Sequence, residues 1–225
     1  MDVIDALWRV PLFEGLDERQ LEQVMRSGHL STFAPGALIV CEGDDSSCLY
    51  VIVRGAVKVF LGDEHGREVI LRIENAGDYF GEISFLDGER RSASVMALTD
   101  SKLLIIPRRA LDGLMRAFPE ISQAMLVGLA RRIRRLSETA RGFARDGVRQ
   151  RLIAAIKMLG GCEGDFPATV ERPSQQDLAD MIGASREMVG RILRGLADEG
   201  YVRLDGRRLV VVKRLPGRTE RRIGT

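Results

Sequence analysis

The run Phe80-Gly81-Glu82-Ile83-Ser84-Phe85-Leu86-Asp87-Gly88-Glu89-Arg90-Arg91-Ser92-Ala93 sets a Gly-Glu pair about ten residues ahead of an Arg-Ser-Ala triplet. Arginine offers a planar, permanently charged fork that matches phosphate oxygens. A serine hydroxyl and nearby backbone N–H groups can complete a cradle for the same anion. Glutamate only accepts hydrogen bonds, which suits a sugar hydroxyl and repels a second phosphate. The types and spacing therefore fit a ligand with one phosphate and one free sugar hydroxyl. A β-hairpin with a solvated charged loop over 87–91 is the blander account, and the rest of the chain has to decide between them.

A second cluster follows, in Ser174-Gln175-Gln176-Asp177-Leu178-Ala179-Asp180-Met181-Ile182-Gly183-Ala184-Ser185-Arg186-Glu187-Met188-Val189-Gly190-Arg191-Ile192-Leu193. Ser174 with Asp177 three residues later is close to a capping box. It opens a short helix whose inner face is Leu178, Ala179 and Ile182. Gly183 predicts a tight turn, and Ser185 caps a second helix with Val189, Ile192, Leu193 and Leu196 inside. Two short helices, a glycine-bearing turn and polar residues opening the second helix are the grammar of a helix-turn-helix. Arg186, Glu187 and Arg191 fall on the outer face, where the chemistry is base reading. Arginine pairs with guanine O6 and N7, and glutamate accepts from cytosine N4. Downstream, 201–204 and 209–212 around Asp205-Gly206 predict a hairpin wing, with Arg207 and Arg208 near its tip. The basic tail 213–225 reads as a frayed end.

These clusters need elements to hold them. Between Leu30 and Pro107 the texture is short β-type runs at 37–41, 49–53, 56–61, 68–73, 93–98 and 102–106. Gly36, Gly43, Gly55, Gly66 and Gly77 punctuate them, which predicts an antiparallel sandwich or barrel, with a turn at His65-Gly66. Helices are expected at 4–9 and 17–27, the latter capped by Asp17 with Leu16, Leu21 and Val24 inward. After Pro107 a helix covers 109–117, and Pro119 opens the longest one, to about 144. Along it Leu126, Leu129, Ile133, Leu136, Ala140 and Phe143 are spaced as a heptad seam, which predicts a two-stranded coiled coil and a homodimer. A helix packed only on its own sandwich would carry a wider stripe. Arg145-Asp146-Gly147 marks a break, followed by a helix at 148–159 and a glycine-rich loop.

Composition narrows the class. A chain of 225 residues suits one large domain or two small ones. No apolar run approaches the ~20 residues that span a bilayer. The N-terminus lacks the basic start of a secretory signal, so a cytoplasmic protein without membrane attachment is expected. Cys41, Cys48 and Cys162 form no C-x-x-C, and His29 and His65 have no neighbouring ligands, which disfavours a disulfide framework, a metal site or haem. With no nucleophile–base pair in sight, an enzyme is not expected. Residues 1–144 carry 18 Lys+Arg against 21 Asp+Glu, while residues 145–225 carry 16 against 11. The positive excess sits with the helix-turn-helix, as nucleic acid binding requires.

The cassette at 80–93 and the run Ser185-Arg186-Glu187-x-x-Gly190-Arg191 together resemble the cyclic AMP receptor protein / fumarate-nitrate regulator family of bacterial transcription factors. The similarity extends from about Leu7 to Val212. It implies an α+β chain: a jelly roll (double-stranded β-helix) that binds a cyclic nucleotide over 1–118, a dimerisation helix over 119–145 and a winged helix-turn-helix over 146–225. By that matching Gly81 and Glu82 hold ribose, Arg91, Ser92 and Ala93 hold phosphate, and Ile83 and Ser84 complete the ligand set. The family's adenine-contacting Thr-Ser pair is represented here by Leu136 and Ser137, followed by Glu138. Ser137 is expected to reach the ligand from the partner subunit. Leucine cannot hydrogen-bond a purine amino group. A cyclic nucleotide is thus implied more firmly than cyclic AMP, and cyclic GMP, a cyclic dinucleotide or no effector stay open. The resemblance further implies that Ser174 and Gln176 hold DNA phosphates. Ser185, Arg186, Glu187, Gly190 and Arg191 then read TGTGA-type palindromic half-sites in double-stranded DNA, and RNA polymerase is a partner. The iron–sulfur branch needs an N-terminal cysteine cluster, which this sequence lacks.

Overall fold

The computed structural model describes residues 3–45, 47–62, 68–160, 166–171, 173–205 and 208–216, with the side chains of 142–145, 160, 170 and 171 set aside. The expected turn at His65-Gly66, Cys162, the wing-tip Gly206 and Arg207, the seam side chain of Phe143 and most of the tail lie outside that description. The chain divides into two compact units, Met1–Leu136 and Ser137–Thr225.

The first unit opens with α1 (Val3–Leu7), a 3-10 turn at Pro11–Phe13 and α2 (Glu18–Arg26). Asp17 caps α2 as read from the sequence: its carboxylate accepts from Gln20 N at 2.9 Å, and the Gln20 side chain accepts from Asp17 N at 2.7 Å. Eight antiparallel strands follow: β1 (His29–Phe33), β2 (Leu38–Val40), β3 (Leu49–Arg54), β4 (Ala56–Gly62), β5 (Glu68–Asn75), β6 (Tyr79–Phe80), β7 (Ser94–Ala97) and β8 (Ser101–Ile106). They form two four-stranded sheets, in the orders β1-β8-β3-β6 and β2-β7-β4-β5, which face each other as the expected jelly roll. A short helix, α3 (Glu82–Asp87), interrupts the strands inside the cassette.

The unbroken apolar run of β3 has a geometric cause. Alternate side chains on a strand point to opposite faces. Leu49, Val51 and Val53 pack under the helices, while Tyr50 and Ile52 fill the space between the sheets with Val57, Val59, Phe80, Val95 and Leu103. Both faces of the strand are therefore dry, and a polar residue on either would need a partner.

Beyond the sheets lie α4 (Arg108–Ala117) and the 27-residue α5 (Pro119–Arg145). The first half of α5 has two apolar faces. Ile121 and Met125 are buried in the unit's own core. On the other face the seam residues Leu126, Ile133 and Leu136 are 65, 64 and 58 % exposed. Where α5 crosses β6, residue 128 is glycine: a Cβ there would lie 2.3 Å from the Tyr79 hydroxyl.

The second unit contains α6 (Val148–Gly160), β9 (Ala168–Glu171), α7 (Gln175–Ile182), α8 (Arg186–Asp198), β10 (Val202–Asp205) and β11 (Arg208–Val211). The wing is a three-stranded sheet in the order β10-β11-β9, where the sequence had indicated only the hairpin. Its core joins Leu152, Ile153 and Ile156 of α6 to Leu178, Ile182, Val189, Leu193 and Leu196.

Candidate ligand pocket and DNA-reading helix

The cassette residues of the jelly roll come together around Arg91. Its guanidinium, only 4 % exposed as a residue, donates from Nη1 to Ser84 Oγ at 2.8 Å and to Gly81 O at 3.0 Å. Nη2 donates to Cys48 O at 2.7 Å, and the carbon of the fork lies 5.5 Å from the Tyr50 ring centre. The arginine is thus oriented before any ligand arrives. Burial holds its pKa below the ordinary arginine value, against the opposing pull of Tyr50 and Cys48. The close approach explains Gly81, which caps α3 with φ +91°. A Cβ there would meet both Arg91 Nη1 and Cys48 O at 2.6 Å. Ile83 is half-buried and Ser84 buried in the first turn of α3, Ala93 is buried, and Ser92 is exposed beside Arg91.

Glu82 is fully buried. One carboxylate oxygen, Oε1, accepts from Arg132 Nη1. The other, Oε2, has no hydrogen-bond partner among the described residues. A buried carboxylate oxygen without a donor is costly, and an incoming hydroxyl would supply one. The residues present therefore fit a ligand that brings an anion to Arg91 and an O–H to Glu82.

Arg132, on α5, is a site residue that the sequence reading missed. Its Nη2 donates to Tyr79 O at 2.5 Å and to Glu74 Oε1 at 3.3 Å, and the guanidinium covers the Tyr79 ring at 4.9 Å. Burial alone would lower the Arg132 pKa, but the charges of Glu82 and Glu74 together hold it above the ordinary value. For Glu74 burial dominates and raises the carboxyl pKa, although Arg72 and Arg132 pull the other way. A signal was available in the sequence. Ile121, Met125, Gly128 and Arg132 are spaced 4-3-4, a second stripe beside the seam, and it ends in an arginine. Leu136 and Ser137, the expected base contacts, are both exposed on α5, one turn beyond the residue that reaches Glu82.

In the second unit Ser174 caps α7 through a full capping box: its Oγ accepts from Asp177 N at 3.0 Å, and Asp177 accepts from Ser174 N at 2.9 Å. Gly183, in the left-handed conformation, turns the chain into α8, which Ser185 caps by accepting from Met188 N at 3.2 Å. Arg151 of α6 braces this turn, donating to Ile182 O at 2.9 Å and to Gly183 O at 3.4 Å, a role that sequence spacing does not reveal. Arg186, Glu187 and Arg191 are all exposed, as are Ser174, Gln176 and Ser185. Gly190 is half-buried, with the Gln175 side chain against it. The amide of Gln176 donates to Asp180 at 2.8 Å.

Residues 30–118 match the cyclic nucleotide-binding domain family, and residues 150–217 match the Crp-like helix-turn-helix domain family. That pairing defines a DNA-binding transcription regulator with a cyclic nucleotide-binding domain. The chain is 33% identical over 195 residues to the cyclic AMP receptor protein of Thermus thermophilus, covering 86% of this chain and 88% of that one. It is 29% identical over 211 residues to a CRP-like cAMP-activated global transcriptional regulator of Mycobacterium tuberculosis, covering 92% and 94%. Among solved structures, the c-di-GMP responsive global regulator CLP of Xanthomonas campestris shares the fold with a TM-score of 0.72 at 24% identity, over 88% of this chain and 100% of that one. This chain belongs to the cyclic AMP receptor protein / fumarate-nitrate regulator family, whose members are transcription regulators rather than enzymes. Among the described residues no helix is long and apolar enough to cross a membrane.

Proposed function

We propose that this protein is a homodimeric regulator that binds TGTGA-type palindromes in double-stranded DNA under the control of a cyclic nucleotide, with cyclic AMP the first candidate. The observation that carries the effector reading is the pairing of a buried, pre-oriented Arg91 with a buried Glu82 oxygen that lacks a donor. Phosphate goes to Arg91 with Ser92, the ribose hydroxyl to Glu82, and Gly81, Ile83, Ser84 and Ala93 wall the cradle. The base lies toward Leu136 and toward Ser137 of the partner subunit. Because Glu82 also holds Arg132, a hydroxyl on its free oxygen acts on the same carboxylate that ties α5 to the jelly roll. The ligand then biases α5, and through the break at Asp146 and Gly147 the DNA-reading units, by its differential affinity for two dimer arrangements.

Dimerisation is supported by the exposed seam of Leu126, Ile133 and Leu136. Ser174 and Gln176 hold phosphates, and Arg186, Glu187 and Arg191 read bases from the helix that Ser185 caps, with Gly190 permitting the close packing of α7. The protein works in the cytoplasm with RNA polymerase as its partner. Leu136, which has no hydrogen-bonding group, favours a second reading in which the base is not adenine and the effector is cyclic GMP or a cyclic dinucleotide. Affinity for a duplex bearing two TGTGA half-sites, measured with cyclic AMP, cyclic GMP and a cyclic dinucleotide in turn, tests both. One nucleotide is expected to raise affinity at least tenfold. If none changes it, the protein is a ligand-independent DNA binder.

A further inference from the structure

We infer that Met188 is a specificity-determining residue of α8 that reads the 5-methyl group of a thymine in each half-site. The inference rests on the DNA-reading role of α8 proposed above and adds to it a contact of a different chemical kind.

The apolar side chains of α8 divide cleanly. Val189, Leu193 and Leu196 are buried, and Ile192 and Ala197 pack against the same core. Met188 belongs to neither group and is 39 % exposed, the one large apolar side chain of α8 that is. It stands in the first turn, where its own N–H is fastened to the Ser185 cap, so the position of its Cα is fixed. Side chains three and four apart share a helix face. Met188 therefore flanks Arg191, three residues on, at the edge of the exposed surface that carries the base-reading set.

A single exposed apolar residue on a protein surface is ordinary. At the opening of a recognition helix it is not, because first-turn side chains there reach base edges. A thioether has no donor and is a weak acceptor, so it gains little from the polar edges of the bases. The thymine methyl is the apolar group of the major groove, and a flexible, polarisable methionine can adapt to it. Neighbouring Arg191 and Glu187 ask for guanine and cytosine, so a methyl reader beside them distinguishes thymine from cytosine, which lacks the methyl.

Uracil is thymine without its 5-methyl group, which permits a direct test on the full-length protein. In a duplex with two TGTGA half-sites each thymine is replaced by uracil, one symmetric position at a time, with cyclic AMP present and absent. At one position the wild type is expected to lose affinity about threefold to fivefold, the worth of one buried methyl group. In Met188→Ala, and in Met188→Gln, which keeps the length of the side chain, that loss disappears while guanine discrimination persists. A wild type indifferent to uracil at every position, or a variant with an unchanged penalty, overturns the inference and leaves the regulator reading intact. A protein with no preference among duplexes overturns the regulator reading itself.

Discussion

Arginine is used in opposite ways in the two units. Arg91 is buried, held by Gly81 O, Ser84 Oγ and Cys48 O among its acceptors, and laid over the Tyr50 ring by the protein itself. Arg186 and Arg191 stand exposed on a helix whose frame, rather than whose side chains, is fixed. A small anion offers few contacts, so its site must be dry and already shaped, and the protein bears the desolvation in advance. Duplex DNA offers a long charged lattice that recruits solvated cations, and ordering them can wait until contact. Substitutions in the first unit should therefore disturb folding together with binding, and those on α8 should disturb binding alone.

The strongest challenge to that contrast is Arg132→Ala, which leaves Glu82 and Glu74 buried without their shared cation. It is expected to destabilise the first unit by about 3–5 kcal/mol, read by denaturant unfolding through the fluorescence of Trp8, the sole tryptophan. An unchanged unfolding curve would mean that the buried pair is not structural. Arg91→Ala removes charge-assisted bonds worth about 2–3 kcal/mol, so nucleotide affinity should fall roughly a hundredfold in calorimetry. Arg91→Lys should not restore it, since an ammonium lacks the planar fork. Arg191→Ala should relax discrimination at one base pair by about 1–3 kcal/mol, measured by competition between duplexes, with no loss of stability. Smallest of all, Ser174→Ala should cost the second unit about 1 kcal/mol through its helix cap, seen as a lower unfolding midpoint.

What could be read in the sequence follows the same division. Ser174, Ser185 and Asp17 announce helix starts because a cap is a local bond, closed within three residues. The apolar strands β3, β4 and β8 were legible for a similar reason, since each carries its burial in its own residues. By contrast β6 is two residues long, β1 is mostly polar, and β9 forms only because β11 offers it an edge. The helix α3 was hidden by its neighbours, whose glycines and charges read as a loop. In the cassette Glu82 and Arg91 could be assigned to a ligand from their types. That Arg132, fifty residues away, holds Glu82 depends on how α5 lies across the sheets, which no local pattern encodes.

Gly128 has a mechanical consequence for the outward face of α5. With the Tyr79 hydroxyl where a methyl group would otherwise be, α5 sits over that ring like a key in a slot. Turning the helix about its long axis would carry a bulkier neighbour into the notch. The azimuth at which Leu126, Ile133 and Leu136 look outward is therefore set by the atom that glycine lacks, and only secondarily by the leucines themselves.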